Sequence, residues 1–121
     1  MNEITVDRAC RLKAFLDRVN LSGLTPRARL DIADLHGRLI DAHSMAQRAI
    51  KQVQREYAQK DEEGQPMQDA GGNVIFDDEE ALQQEIQTIA KEQITVDPVP
   101  ASVWQAWPND LIAVLRPVLA A

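Results

Sequence analysis

From Pro26 to Lys60 the chain has no further proline and a single glycine, Gly37. Apolar residues recur there at Ala28, Ile32, Leu35, Leu39, Ala42, Ala46, Ala49 and Val53, with gaps of 4, 3, 4, 3, 4, 3 and 4. A mean spacing of ~3.5 residues holds one helix face apolar over its whole length. A strand, whose side chains alternate with period two, cannot satisfy that pattern. A helix over about 26–60 would be roughly 50 Å long at ~1.5 Å per residue. Thr25 and Pro26 supply its start, the hydroxyl as N-cap and the proline at the first helical position. Ile40, Met45 and Ile50 widen the seam, and its alanine-rich middle admits close approach of another helix. Whatever else the chain does, it must cover this face.

Two shorter helices are predicted to do so. Over 7–20, Ala9, Leu12, Leu16 and Val19 share a face that Cys10 and Phe15 extend, with Asp7 as the expected N-cap. A third helix starts at Asp77 or Asp78 and runs to about 93, with Leu82, Ile86 and Ile89 on one face. Glu79 and Glu80 suit the positive end of its dipole. The expected fold is mainly α: an antiparallel bundle around the long helix, the first helix over its N-terminal half and the third over its C-terminal half. Between the second and third helices lies DEEGQPMQDAGGNVIF, residues 61–76. It repeats Asp-x-x-Gly-(Gln/Asn), which is turn chemistry, and ends in Val74-Ile75-Phe76, which is strand chemistry. A small β-hairpin or turn-rich insertion at the bundle tip is expected, resting through Met67, Ile75 and Phe76 on Tyr57. Its acidic residues do not follow the twelve-residue calcium-loop spacing.

The remainder, 95–121, carries Pro98, Pro100, Pro108 and Pro117 together with Trp104 and Trp107. Thr95–Pro100 is predicted extended, followed by a short helix from about Ser102 or from Asn109. The whole chain, 1–121, is read as one helical domain. The two tryptophans either clamp the end of the first and second helices or dock on a partner, since buried aromatic side chains commonly anchor interfaces.

Charge is unevenly divided. Residues 1–60 hold 11 Lys/Arg against 7 Asp/Glu, and residues 61–121 hold 2 against 12. The favoured reading is that the acidic half packs on the basic half, rather than that the basic half binds nucleic acid. The one cysteine, Cys10, allows no internal disulfide and is expected to be a buried, inert thiol. No apolar run has the length of a membrane span or a signal peptide. His36 and His43 are seven residues apart, too far along a helix for easy joint binding of one zinc ion. No phosphate-binding, redox or zinc-hydrolase motif is found, and no cofactor or metal is expected.

Two stretches, LKAFLDRVNLSGLTPRARLDI and REYAQKDEEGQPMQDAGGNVIF, carry a resemblance. The first sets a short helix and glycine turn before an Arg-rich long-helix start. The second sets an aromatic residue at a helix end before a doubled turn. Over about 4–96 the layout resembles a family of unknown function, small proteins from phages and prophages of Gram-positive bacteria. The resemblance implies a phage-encoded accessory protein acting in particle assembly or on a host protein.

The functional expectation is accordingly a non-enzymatic interaction protein in the host bacterial cytoplasm or the virion, with a protein partner and neither membrane nor nucleic acid. The candidate partner-binding residues are Trp104, Trp107, Asp61, Glu62 and Glu63. An alternative is an acidic inhibitor of a host enzyme or defence system, presenting carboxylates where phosphates would sit. A second alternative is a ligand-binding or enzymatic domain without a local motif. A homodimer through the long helix or the Trp104/Trp107 tail is also expected.

Overall fold

The computed structural model describes residues 2–121. Helix α2, Pro26–Tyr57, is its axis: 32 residues, about 48 Å. Thr25 Oγ1 accepts the amide of Ala28 and Pro26 takes the first position. Helix α1, Val6–Arg18, precedes it through a short turn and packs on its N-terminal part. His36 Nε2 of α2 lies 2.7 Å from Asp17 Oδ1 near the end of α1. Helix α3, Glu79–Lys91, packs on the C-terminal part of α2, where the Tyr57 hydroxyl donates to Glu85 at 3.1 Å. The two short helices have 13 residues each, about 20 Å apiece. Set end to end they cover most of the long seam.

Their junction was not anticipated. Strand β1, Asn2–Thr5, pairs antiparallel with strand β2, Gln93–Val96, placing Ile4 opposite Ile94. The Val6 amide then donates to the Glu92 carbonyl at 2.9 Å, tying the start of α1 to the end of α3. This pairing corrects the expected cap. β1 runs directly into α1, so Thr5 is the N-cap and accepts the Arg8 amide. Asp7 sits in the first turn instead, bonded to Arg11. At α3 the cap is Asp78, which accepts the Ala81 amide.

The tail packs on this chain. After β2, Val99 exchanges backbone bonds with the C-terminus: its amide donates to Val118 and its carbonyl accepts from Ala120. Helix α4, Ala101–Trp104, helix α5, Asn109–Leu115, and a 3-10 turn over Arg116–Val118 complete the fold. Both suggested tail helices therefore exist. The Asn2 side-chain amide donates to the carbonyls of Pro117 and Leu119, fastening one terminus to the other.

The core lies at one end. Ile32, Leu35 and Leu39 of α2 are enclosed with Ala9, Leu12 and Leu16 of α1, and with Trp107, Leu111, Leu115, Val118 and Leu119 of the tail. The described buried side chains are all apolar. Beyond Ala46 the structure thins to a two-helix arm, in which Leu82 is the buried residue of α3 and Ala58 is buried at the tip. Cys10 is half-buried rather than enclosed. Desolvation first, and Asp7 second, push its thiol up from the ordinary value, away from the reactive thiolate.

Candidate interaction surface

The tip is built by an eight-residue repeat. Gln59, Met67 and Ile75 are eight apart, and each is followed two residues later by an aspartate: Asp61, Asp69 and Asp77. Their backbones close a ring. The Met67 amide donates to Gln59, the Ile75 amide to Met67, and the Gln59 amide to Ile75, at 2.8–2.9 Å. Each of the first two repeats then turns in the same way. Asp61 Oδ1 accepts the amides of Glu63 and Gln65, and Asp69 Oδ1 accepts those of Gly71 and Asn73, at 2.9–3.0 Å. Gly64 and Gly72 complete the turns at φ of 80° and 84°, where a side chain is strained. The third repeat leaves the ring into α3.

The expected hairpin or turn-rich insertion is present, its backbone closed as a three-segment ring. It begins at Ala58, which bridges Phe76, so α2 ends at Tyr57 and not near Lys60. The expected packing on Tyr57 is partly corrected. Ile75 and Phe76 are half-buried, but Met67 remains 41% exposed. Phe76 faces a groove of about 430 Å³ that Lys51, Gln54, Arg55 and Ala58 form with Pro66, Asn73 and Val74. Tyr57 is joined to the ring through its backbone, accepting from Asp77, while its hydroxyl reaches Glu85. That carboxylate, as acceptor first and as a nearby charge, raises the phenol above its ordinary pKa.

The four ion pairs of Lys or Arg with Asp among the described residues all lie within residues 1–60: Asp7–Arg11, Lys13–Asp17, Arg27–Asp31 and Asp34–Arg38, as does the His36–Asp17 hydrogen bond. None joins the basic half to the acidic half. The expected internal charge match is therefore not made by ion pairs. Burial along this part of α2 shows the reason: Ala46 is buried and Ala49 and Val53 half-buried, while Arg48, Lys51 and Arg55 are exposed. Arg48, Lys51, Arg55 and Lys60 are exposed and without an ion pair among the described residues. The long-helix seam, by contrast, is covered from within.

Compared with family models, with curated proteins and with solved structures, the chain matches none.

The sequence-selected residues fall into two separate places. Asp61, Glu62 and Glu63 are exposed at the tip. Asp61 already has one carboxylate oxygen occupied in forming its turn, so Glu62 and Glu63 are the freer acids. Trp104 and Trp107 lie in the tail against the core. Trp107 is 4% exposed and belongs to this chain's own interior, where it is not available as an anchor. Its Nε1 is enclosed with no hydrogen-bond partner among the described residues. Trp104 donates from Nε1 to the Ala120 carbonyl at 3.0 Å, and Arg116 covers its ring at 5.6 Å. Beside them, Ser102, Val103 and Ala106 face Thr25, Arg27, Ala28 and Asp31 across a shallow cleft, so the tail closes on the start of α2. Sequence reading missed the exposed groove. Its signal was the alignment of Lys51, Gln54/Arg55 and Ala58 one helical turn apart.

Proposed function

We propose that the protein is a non-enzymatic accessory factor of a phage or prophage, acting in particle assembly through protein–protein contacts. The observation that carries this reading is the arm. A long helix is covered along its inner face and carries exposed charges elsewhere, ending in a hydrogen-bonded tip with an apolar groove. An element offering charge around a small apolar site fits recognition of another protein surface. The resemblance of the two quoted stretches to phage and prophage proteins supports the reading that this recognition serves the assembly of such particles, in the host cytoplasm or the virion. The test is quantitative mass spectrometry of purified particles and of complexes captured on the tagged chain during infection. Stoichiometric recovery with a phage morphogenesis protein supports the reading. Recovery with no phage component refutes it.

A second reading is favoured by one observation, the exposed acids at Glu62, Glu63 and the start of α3. In it the tip occupies a basic channel of a host nucleic-acid enzyme. A host partner captured at low salt and released at high salt supports this alternative, because exposed charge pairs are screened by salt.

A further inference from the structure

The outer face of α2 carries its own regular pattern. Leu30, Ala33, Gly37, Ile40 and Ser44 are spaced 3, 4, 3 and 4 apart on the face opposite the buried one, which corrects the expectation that Ile40 widens the inner seam. Leu30 is 64% exposed and Ile40 39%. A Cβ built on Gly37 would meet nothing within 4 Å, so this helix surface is open to close approach. Continued by whole turns, the stripe reaches Lys51 and Ala58, the floor of the tip groove.

Beside the stripe runs a row of charges seven residues apart: Arg27, Asp34, Asp41, Arg48 and Arg55, then Glu62 in the first turn. All six are exposed. The order of signs is plus, minus, minus, plus, plus, minus. Reversed end for end, it becomes its own opposite. Two such rows laid antiparallel set Asp41 against Arg48 and Asp34 against Arg55, each pair occurring twice, with Glu62 of one copy at the end where Arg27 of the other lies. Laid parallel about a two-fold axis, the two rows would fall on opposite sides of the contact and could not pair. The same antiparallel alignment brings Leu30 of one helix level with Ala58 of the other, at the groove that Pro66, Val74 and Phe76 enclose.

We propose that this face binds a second copy of the chain, antiparallel, about a two-fold axis passing near Ser44. Leu30 of each copy fills the tip groove of the other, and the Gly37 surfaces let the helices approach between the two ends. A closed two-fold pair uses the same surface on both copies, which is the condition a self-complementary charge row meets. Opposite charges across the contact fix its register and direction. The sites differ from the two expected for a dimer: the inner seam is occupied by α1 and α3, and Trp107 is in the core. The inference does not rest on the proposed function, since it needs no other protein.

Sedimentation equilibrium of the full chain tests it, from micromolar to millimolar concentration at low and high ionic strength. The expected result is a mass twice 13.5 kDa that falls toward one chain as salt rises. Arg48→Glu should raise the dissociation constant at least about tenfold, and Asp41→Lys combined with Arg48→Glu should restore it. Neither residue has an ion pair among the described residues, so folding is not at stake. Gly37→Gln should retain or increase helicity, because glycine is the poorer helix former, while abolishing the dimer. A chain that stays at 13.5 kDa throughout overturns the proposal and leaves the face to a foreign partner. A dimer indifferent to Gly37→Gln and Arg48→Glu, or a double variant that fails to restore association, also overturns it.

Discussion

Replacing Gly72 by alanine tests whether the tip is one cooperative unit. At φ of 84° an L-residue with a Cβ is strained, by about 1–2 kcal/mol. A Cβ on Gly72 would meet no other atom within 4 Å, so the cost is confined to the backbone. The turn it closes is held by Asp69, and that turn joins Met67 to Ile75. Because the amides of Gln59, Met67 and Ile75 each donate to another of the three, opening one turn removes an acceptor or donor from the whole ring. Native-state hydrogen exchange at those amides should therefore accelerate together, by roughly 5- to 30-fold for 1–2 kcal/mol. Gly64→Ala, at φ of 80°, should act in the same way on the same amides. Gly71→Ala is the control. It lacks positive φ, and its Cβ would lie 3.4 Å from Asp69 Oδ1 and 3.5 Å from Asn73 Nδ2, ordinary contacts. Far-ultraviolet circular dichroism should remain unchanged, since α2 is held elsewhere. Acceleration at Ile75 alone, with Gln59 and Met67 unmoved, would falsify the ring as a cooperative unit. No acceleration at all would refute the strain argument.

Leu39→Ala should destabilise the chain by about 2–5 kcal/mol in urea unfolding, because Leu39 is 0% exposed at the centre of the core. Trp107→Ala should cost about 3–5 kcal/mol, whereas Trp107→Phe should cost much less, because it removes the enclosed, unpartnered Nε1–H along with part of the ring. Asp78→Ala should loosen the start of α3 by about 1 kcal/mol, seen as faster amide exchange over its first turn. Asp17 is held below the ordinary carboxylate range by bonding to Lys13 first and His36 second. Its folded pKa lies below its unfolded one, so its contribution is complete above the unfolded value and is lost as pH falls through the folded value. Asp17→Asn should accordingly show a shallower loss of stability on acidification below the ordinary value of 3.8, measured by urea midpoints across that range.

The helices were legible because burial repeats along them. Of the residues that spacing selects on α2, Ile32, Leu35, Leu39, Ala42 and Ala46 are its buried residues, and Ala28, Ala49 and Val53 are half-buried. The strands were not, because four residues carry too little of a period-two pattern to stand out. A different signal was present: Ile4-Thr5-Val6 recurs as Ile94-Thr95-Val96, and these two segments meet in the sheet with Ile4 opposite Ile94. At the tip the turns could be read from Asp61, Gly64, Asp69 and Gly72. The ring could not, since its three hydrogen bonds depend on backbone positions eight and sixteen residues apart. Trp107 was placed beside the right helix end, but composition does not distinguish an aromatic side chain spent on the core from one kept for a partner.

Helix α2 shows why a surface is harder to read than a core. Its inner face announces itself through apolar residues, and any side chain of fitting size there serves the same end. Its outer face mixes Leu30, Gly37 and Ile40 with Ser44 and Lys51, which no hydropathy pattern selects. What orders that face is sign. Arg27, Asp34, Asp41, Arg48, Arg55 and Glu62 look like ordinary solvated charges one at a time, and only their order under reversal makes them complementary. The two codes also differ in what they constrain. The inner spacing requires that something cover the helix but not in which direction, and α1 and α3 meet the requirement end to end. The outer order specifies direction and register while contributing little to folding, since exposed pairs are worth roughly 0–1 kcal/mol each. Reversing Arg48 therefore tests the outer code without disturbing the inner one: urea stability of the monomer should stay within about 0.5 kcal/mol of wild type while association weakens at least about tenfold.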